Sequence, residues 1–171
     1  SLFEIQKNRS RLHYLMANIE VSGYAGENNW ALLEDPAGNI SEGTGDNFFI
    51  IKNEVIITPP GKNILCGISR QFVIDDLASA LGLKVEERNF DLYEVYTADE
   101  AFMTGTPFCA LPVTSINGVL IGDGVPGAIF RNIIATWSKA VGLDIVEQIK
   151  YWDSVQEIDA EKQLSPYAFK R

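Results

Sequence analysis

Apolar residues recur along this chain with two different periods. Over residues 7–21, Leu12, Leu15, Met16 and Ile19 fall at i, i+3, i+4 and i+7, the spacing of one face of an α-helix, and Gly23 supplies a stop. From Trp30 to Thr58 the pattern changes to short apolar runs, Trp30 to Leu33, Phe48 to Ile51 and Val55 to Ile57. Turn residues separate them at Asp35-Pro36-Ala37-Gly38-Asn39 and at Asn53-Glu54, so this stretch reads as a β-meander. Helical spacing returns over 68–82. There Val73, Leu77, Ala80 and Leu81 share one side, Asp75 and Asp76 turn toward water, and Gly82 ends the run. Further strands are expected at Lys84 to Arg88, Glu100 to Thr104, Val113 to Ile116 and Val119 to Ile121, the last two joined by the hairpin signal Asn117-Gly118. Phe130, Ile133, Ile134 and Trp137 mark a second amphipathic helix after Pro126-Gly127, and beyond Trp152 the apolar period is lost. The order helix, meander, helix, strands, helix predicts an α+β fold, a curved mixed sheet flanked by helices. It forms one domain over residues 1–152, followed by a peripheral tail over 153–171.

Composition narrows the function classes. With 171 residues, 46% of them hydrophobic, the chain can bury one substantial core. Fourteen basic against twenty-three acidic residues give a net charge of −9, which argues against nucleic acid and anionic membranes as partners. No stretch approaches the roughly 18 to 20 apolar residues of a membrane span, and Ser1-Leu2-Phe3-Glu4 is not a signal sequence, so a soluble cytoplasmic protein is expected. Cys66 and Cys109 lack metal-binding spacing and read as reduced thiols, and with His13 the single histidine, no metal is expected.

The chemistry falls to other side chains, in four segments. Lys7 is an amine at a helix edge, and the nearby cations Arg9 and Arg11 favour its neutral, nucleophilic form. A lone lysine there is ordinarily a solvated surface residue. Glu42 lies beside a glycine-rich turn and just before an apolar strand, from which its carboxylate could enter a pocket; such a residue alone is more often an exposed turn residue. Gly67-Ile68-Ser69 precedes a helix, where unpaired N–H groups and the positive end of the helix dipole suit an anion such as phosphate, although a plain helix start reads the same way. Thr104-Gly105-Thr106 ends a strand, with a glycine permitting close approach of a ligand and a hydroxyl beside it.

Taken together and in order, these segments resemble the class IV aminotransferases of fold type IV. That family includes branched-chain amino acid aminotransferases, D-amino acid aminotransferases and 4-amino-4-deoxychorismate lyases. The matching stretches are Lys7 to Leu12, Glu42-Gly43-Thr44-Gly45-Asp46-Asn47-Phe48, Leu65-Cys66-Gly67-Ile68-Ser69-Arg70, and Ala98-Asp99-Glu100 through Thr104-Gly105-Thr106, and the resemblance covers about residues 7–140. It implies the D-amino acid aminotransferase-like C-terminal fold, a pseudo-barrel, with pyridoxal 5′-phosphate (PLP) as cofactor. Lys7 would form the internal aldimine, and Glu42 would contact the pyridine nitrogen. Gly67, Ile68, Ser69 and Thr106 would hold the phosphate. Tyr14 is the nearest match to a tyrosine that members place near the coenzyme phenolate, and Arg11 matches an arginine of some members, lyases included.

The resemblance further implies an aminotransferase acting on an amino acid and a 2-oxo acid, a homodimer when full length, and a smaller N-terminal domain ahead of the lysine that this chain does not carry. A lyase using the same lysine, or a catalytically silent binding module, are the alternatives. One departure concerns the substrate: Pro107 follows Thr106 where many members carry alanine, so a backbone N–H used there for the substrate carboxylate is missing.

Overall fold

The computed structural model describes residues 12–25, 28–62 and 64–160. The expected beginning of the first helix, with Lys7 and Arg11, lies outside the described residues, as does most of the expected tail.

The meander forms as expected and gains a strand. β1 (Leu32–Glu34), β2 (Ile40–Gly43), β3 (Asn47–Lys52) and β4 (Val55–Thr58) pair antiparallel in sequence. β2 carries no apolar run and escaped the hydrophobic pattern; it is extended because Gly43 pairs with Leu32 and Glu42 with Asn47. β5 (Lys84–Glu87) adds parallel to β4, among the described residues the one parallel pair of a seven-stranded sheet. β6 (Glu100–Gly105) pairs antiparallel with β3 along Asn47 to Ile51, and β7 (Cys109–Val113) covers the outer edge of β6. The strand expected at Val113 to Ile116 is therefore two: β7, and β8 (Ser115–Ile116), which makes a separate hairpin with β9 (Val119–Leu120) around Asn117-Gly118. Pro112 is tolerated in β7 because that strand pairs with β6 alone, and a proline cannot donate to a second neighbour.

β3 is the centre of the sheet, and its run Phe48-Phe49-Ile50-Ile51 is apolar on both faces because both are covered. On one face Phe49, Ile51 and Phe102 meet Val73, Leu77, Phe130, Ile133 and Trp137 from the helices. The rings of Phe49 and Phe102 stack 4.6 Å apart. On the other face Phe48, Ile50 and Ala101 meet Ile40, Phe90, Val95 and Ile121.

The helix expected over 68–82 begins as α2 (Ile68–Phe72), passes through one π turn (Val73–Leu77) and ends as α3 (Ala78–Leu81) with Gly82 at φ +67°. The extra residue of the π turn rotates the buried face, so Ala78 enters the core and Ala80 does not. A short helix unmarked by periodicity, α4 (Leu92–Tyr96), is started by Asp91, whose side chain accepts from Glu94 N at 3.0 Å. α5 (Ala128–Val141) buries Phe130, Ile133, Ile134 and Trp137 as its spacing predicts. α6 (Ile145–Ala160) runs past Trp152, where loss of the apolar period suggested a peripheral or frayed tail.

α1 (Leu12–Val21) departs most from its pattern. Leu12, Leu15, Met16 and Ile19, the expected buried face, are all more than half exposed. The helix docks by its polar side instead: Tyr14 and Asn18, one turn apart, bond Glu42 and Thr44 of the β2–β3 hairpin.

α5 is fixed to the sheet by one carboxylate. Glu100 at the start of β6 accepts from Ile129 N (2.9 Å) and Phe130 N (2.8 Å), two of the helix N–H groups that have no partner within the helix. A side chain at Gly127 would collide with it. Replacing Glu100 with Gln presents an amide N–H₂ to one of those donors and removes the charge. Denaturant unfolding of E100Q is expected to show a loss of about 2 kcal/mol, with the slope of the transition unchanged.

Candidate functional site

The β-sheet register sets the site. A single row of cross-strand neighbours runs Glu42, Asn47, Thr104, Ala110 over β2, β3, β6 and β7, and the turn carrying Thr106 lies just past its end. Elements from four parts of the sequence thus converge at one end of the sheet.

Glu42 is buried at 6% exposure, and both of its oxygens are held. Oε2 accepts from Leu65 N at 2.9 Å and from the Asn47 amide at 3.2 Å, and Oε1 accepts from the Tyr14 hydroxyl at 2.5 Å. Asn47 does more than contact Glu42. Its amide nitrogen also donates to Leu65 O at 2.7 Å, and its amide oxygen accepts from Gly67 N at 3.2 Å. One side chain therefore joins the carboxylate on β2 to the loop that opens into α2. The approach requires glycine: a Cβ at position 67 would stand 2.4 Å from Asn47 Oδ1.

Gly67 is extended (φ −71°, ψ 146°) and caps α2 with no side-chain hydrogen bond. The N–H groups of Ile68 and Ser69 follow in the first helical turn, where no helix carbonyl precedes them. The Ile68 side chain is 85% exposed, so this helix start opens outward. Behind it Arg70 is buried, donating to Pro59 O at 2.9 Å and to Glu87 at 2.6 Å. That cation pins α2 to the end of β5 and to the turn after β4.

Thr106 is exposed in the β6–β7 turn. Phe108 folds back so that its ring covers Gly105, where a Cβ would come within 2.7 Å of it, and Trp30 packs edge-on at 5.6 Å. The Phe108 N–H closes the turn onto Gly105 O at 3.3 Å. Neither residue following Thr106 thus leaves a spare backbone donor in this turn, Pro107 having none.

The structure brings together Tyr14, Glu42, Gly67 and, along its helix start, Ile68 and Ser69, with Thr106 at the same end of the sheet. Three residues to which the sequence reading assigned no role now stand out. Asn47 opens an apolar strand, a position where an amide needs buried partners, and that was the available signal. Thr104 is buried with its hydroxyl unpartnered among the described residues. Asp46 is buried at 8% exposure with Oδ2 unpartnered among the described residues, in the turn closed by Gly43 N to Asp46 O at 3.0 Å. Burial raises the Asp46 carboxyl to about 6, opposed by a hydrogen bond from the Gly45 backbone and reinforced by the charge of Glu42.

Comparison with known proteins gives the chain its relatives. The family profile described as amino-transferase class IV matches residues 3–116. The branched-chain-amino-acid aminotransferase of Pseudomonas aeruginosa is 38% identical over 134 residues, which are 78% of this chain and 42% of that protein. Among solved structures, the PLP-form branched-chain amino acid aminotransferase of Thermobaculum terrenum matches with a TM-score of 0.70 at 36% identity, over 77% of this chain and 42% of that one. The branched-chain amino acid aminotransferase of Escherichia coli matches with a TM-score of 0.68 at 31% identity, over 84% of this chain and 49% of that one. The chain spans less than half the length of each of these relatives.

Asp46 makes the site's cost measurable. Its folded-state value, about 6, lies above the ordinary 3.8, so between those values the folded chain keeps a proton that the unfolded chain has lost. Stability from this group is therefore present below pH 4 and is lost as pH rises to 6, by up to about 3 kcal/mol. Asp46→Asn cannot titrate. Relative to D46N, the wild-type unfolding free energy should fall by about 2 to 3 kcal/mol between pH 4 and pH 7, measured by denaturant titration at each pH.

Proposed function

Because the chain belongs to the class IV aminotransferase family, we propose that it is the coenzyme-binding part, residues 1–152, of a PLP-dependent enzyme that moves an amino group between an amino acid and a 2-oxo acid. One observation carries the reading: a clamped, buried carboxylate, Glu42, joined through the Asn47 side chain to an outward-opening helix start. The donor set fits the coenzyme, with a carboxylate for its ring nitrogen and backbone N–H groups for its phosphate. The PLP form of the Thermobaculum terrenum enzyme, a relative at 36% identity, supports it.

When bound, PLP supplies an electron sink for the pair left on the substrate's Cα. Glu42 holds the proton at the ring nitrogen. The N–H groups of Ile68 and Ser69, the Ser69 hydroxyl and Thr106 bind the phosphate, and Gly67 allows the close approach of strand and helix start on which that cradle depends. Lys7 would be the amine that holds the coenzyme, and as general acid and base it would move the proton between the substrate's Cα and the coenzyme C4′. Arg9 and Arg11, close to it in sequence, would favour the neutral form of that lysine, and Arg11 is also a candidate coenzyme contact. Because the Phe108 N–H is used within its own turn and Pro107 has none, the substrate carboxylate is held by groups outside that turn. The exposed row Leu12, Leu15, Met16 and Ile19 supports a homodimer of the full-length protein in which the row is covered. The proposed location is the cytoplasm. Among the described residues no helix is long and apolar enough to cross a membrane.

The full-length protein should exchange an amino group between an amino acid and a 2-oxo acid. Borohydride reduction followed by peptide mapping should place the phosphopyridoxyl group on Lys7. A group on Lys52 or Lys62 would remove Lys7 from the chemistry. Glu42→Gln should retain coenzyme and lose about 100-fold or more in turnover, read by steady-state kinetics.

A further inference from the structure

We infer that Asp46 is a proton-operated latch: protonated, its carboxyl seals the end of the sheet between the β2–β3 hairpin and the β6–β7 turn, and ionised, it leaves and loosens the turn that presents Thr106. The effect on coenzyme rests on the reading above; the latch itself does not.

Asp46 lies between two glycines. On β2, Gly43 N donates to Asp46 O, and a Cβ on Gly43 would stand 2.3 Å from each oxygen of the Asp46 carboxyl. The carboxyl is thus folded onto Gly43, in room that a missing side chain supplies. On the other side, continuing the β3–β6 register one step beyond Asn47 and Thr104 sets Asp46 beside Gly105. The Phe108 ring covers Gly105, and the Trp30 ring packs on Phe108 from the segment leading into β1, two residues before Leu32, the partner of Gly43. Residues of four strands and their turns therefore gather around one carboxyl, which is 8% exposed.

That enclosure holds no charge to balance an ionised carboxylate. Oδ2 has no hydrogen-bond partner among the described residues. Gly43, Gly105, Phe108 and Trp30 are uncharged, and burial pushes the Cys109 thiol up, toward its neutral form. α1 presents Tyr14 and Asn18 to Glu42 and Thr44 of the same hairpin. Glu42 itself adds a like charge, which reinforces burial in raising Asp46 to about 6. The sealed form is therefore held below pH 6 and given up as pH rises through it. Once ionised, the carboxylate finds compensation in water. The member of its surroundings with most access to water is Trp30, at 47% exposure. Its partner Phe108 closes the Thr106 turn through its N–H to Gly105 O, so a movement of the ring pair reaches the Thr106 hydroxyl.

The test uses the full-length protein. Tryptophan emission is recorded between about pH 4.5 and about pH 8 for wild type, Asp46→Asn, Trp30→Phe and Gly43→Ala, with circular dichroism to check each fold. Wild type is expected to show a transition centred near pH 6. D46N, which cannot titrate, and W30F, which removes the reporting ring, are expected to show none. G43A, whose added methyl displaces the carboxyl, should give the high-pH emission throughout. The dissociation constant of PLP is then measured by equilibrium dialysis for wild type and D46N at both ends of the range. Their ratio, in which the coenzyme's own titration cancels, should rise about tenfold toward high pH.

A transition that survives in D46N, or is missing from wild type, overturns the inference. So does a PLP ratio that stays constant with pH, because Thr106 is then untouched by the latch. If the emission behaves as expected and wild type binds no PLP, the coenzyme reading falls and the latch stands.

Discussion

The Asn47 amide is the constraint on which the rest of the site depends. It has two donors and one acceptor, and all are used: toward Glu42, toward Leu65 O, and from Gly67 N. Any of these groups left unpaired in a buried setting costs about 1 to 3 kcal/mol, so strand, loop and helix start are held to one arrangement rather than merely packed near each other. The missing Cβ of Gly67 is part of the same contact. Spatial precision at the carboxylate and at the helix start thus has a common origin in one side chain, and a shift of either would be felt by the other.

Arg70 continues this bracing one turn deeper. A guanidinium at 1% exposure persists because a backbone carbonyl and the half-exposed Glu87 meet it. Its anchors are the turn after β4 and the end of β5, the strands that pair in parallel. The helix start is therefore referenced to the same sheet from two directions, by Asn47 in front and Arg70 behind. Such double support suits a site that must present donors without rearranging.

Much of the fold was legible because period and burial agree where one face meets a core. Phe130, Ile133, Ile134 and Trp137 follow that rule, whereas the Asn117-Gly118 hairpin, with its strands largely exposed, was legible from its turn residues. The sequence pattern was silent where pairing, not hydrophobicity, makes structure: β2 is polar, and α4 is a five-residue helix started by Asp91. It misled where geometry changes midway, as at the π turn that exchanges Ala80 for Ala78. α1 shows a different limit, since periodicity reveals that a helix has an apolar side but not what that side will touch. Of the site, Glu42 and Gly67 to Ser69 stood out by motif. The partners of Asn47 did not, because hydrogen bonds to residues about twenty positions away leave no trace in spacing, and neither did Asp46, whose burial comes from the way its turn folds back.

The branched pairing of β3 bears on how the chain is made. β2 and β4 share one edge of this strand, and both are neighbours in sequence. The other edge is closed by β6, roughly fifty residues later. During synthesis, then, a meander can form early while its most apolar strand offers a row of open amides and carbonyls to solvent until Gly105 has cleared the ribosome. That interval is when another nascent copy could add itself to the edge. The vulnerable species of this protein is thus a half-built sheet, and a chaperone that shields Phe48 to Ile51 would act on yield rather than on the stability of the finished fold.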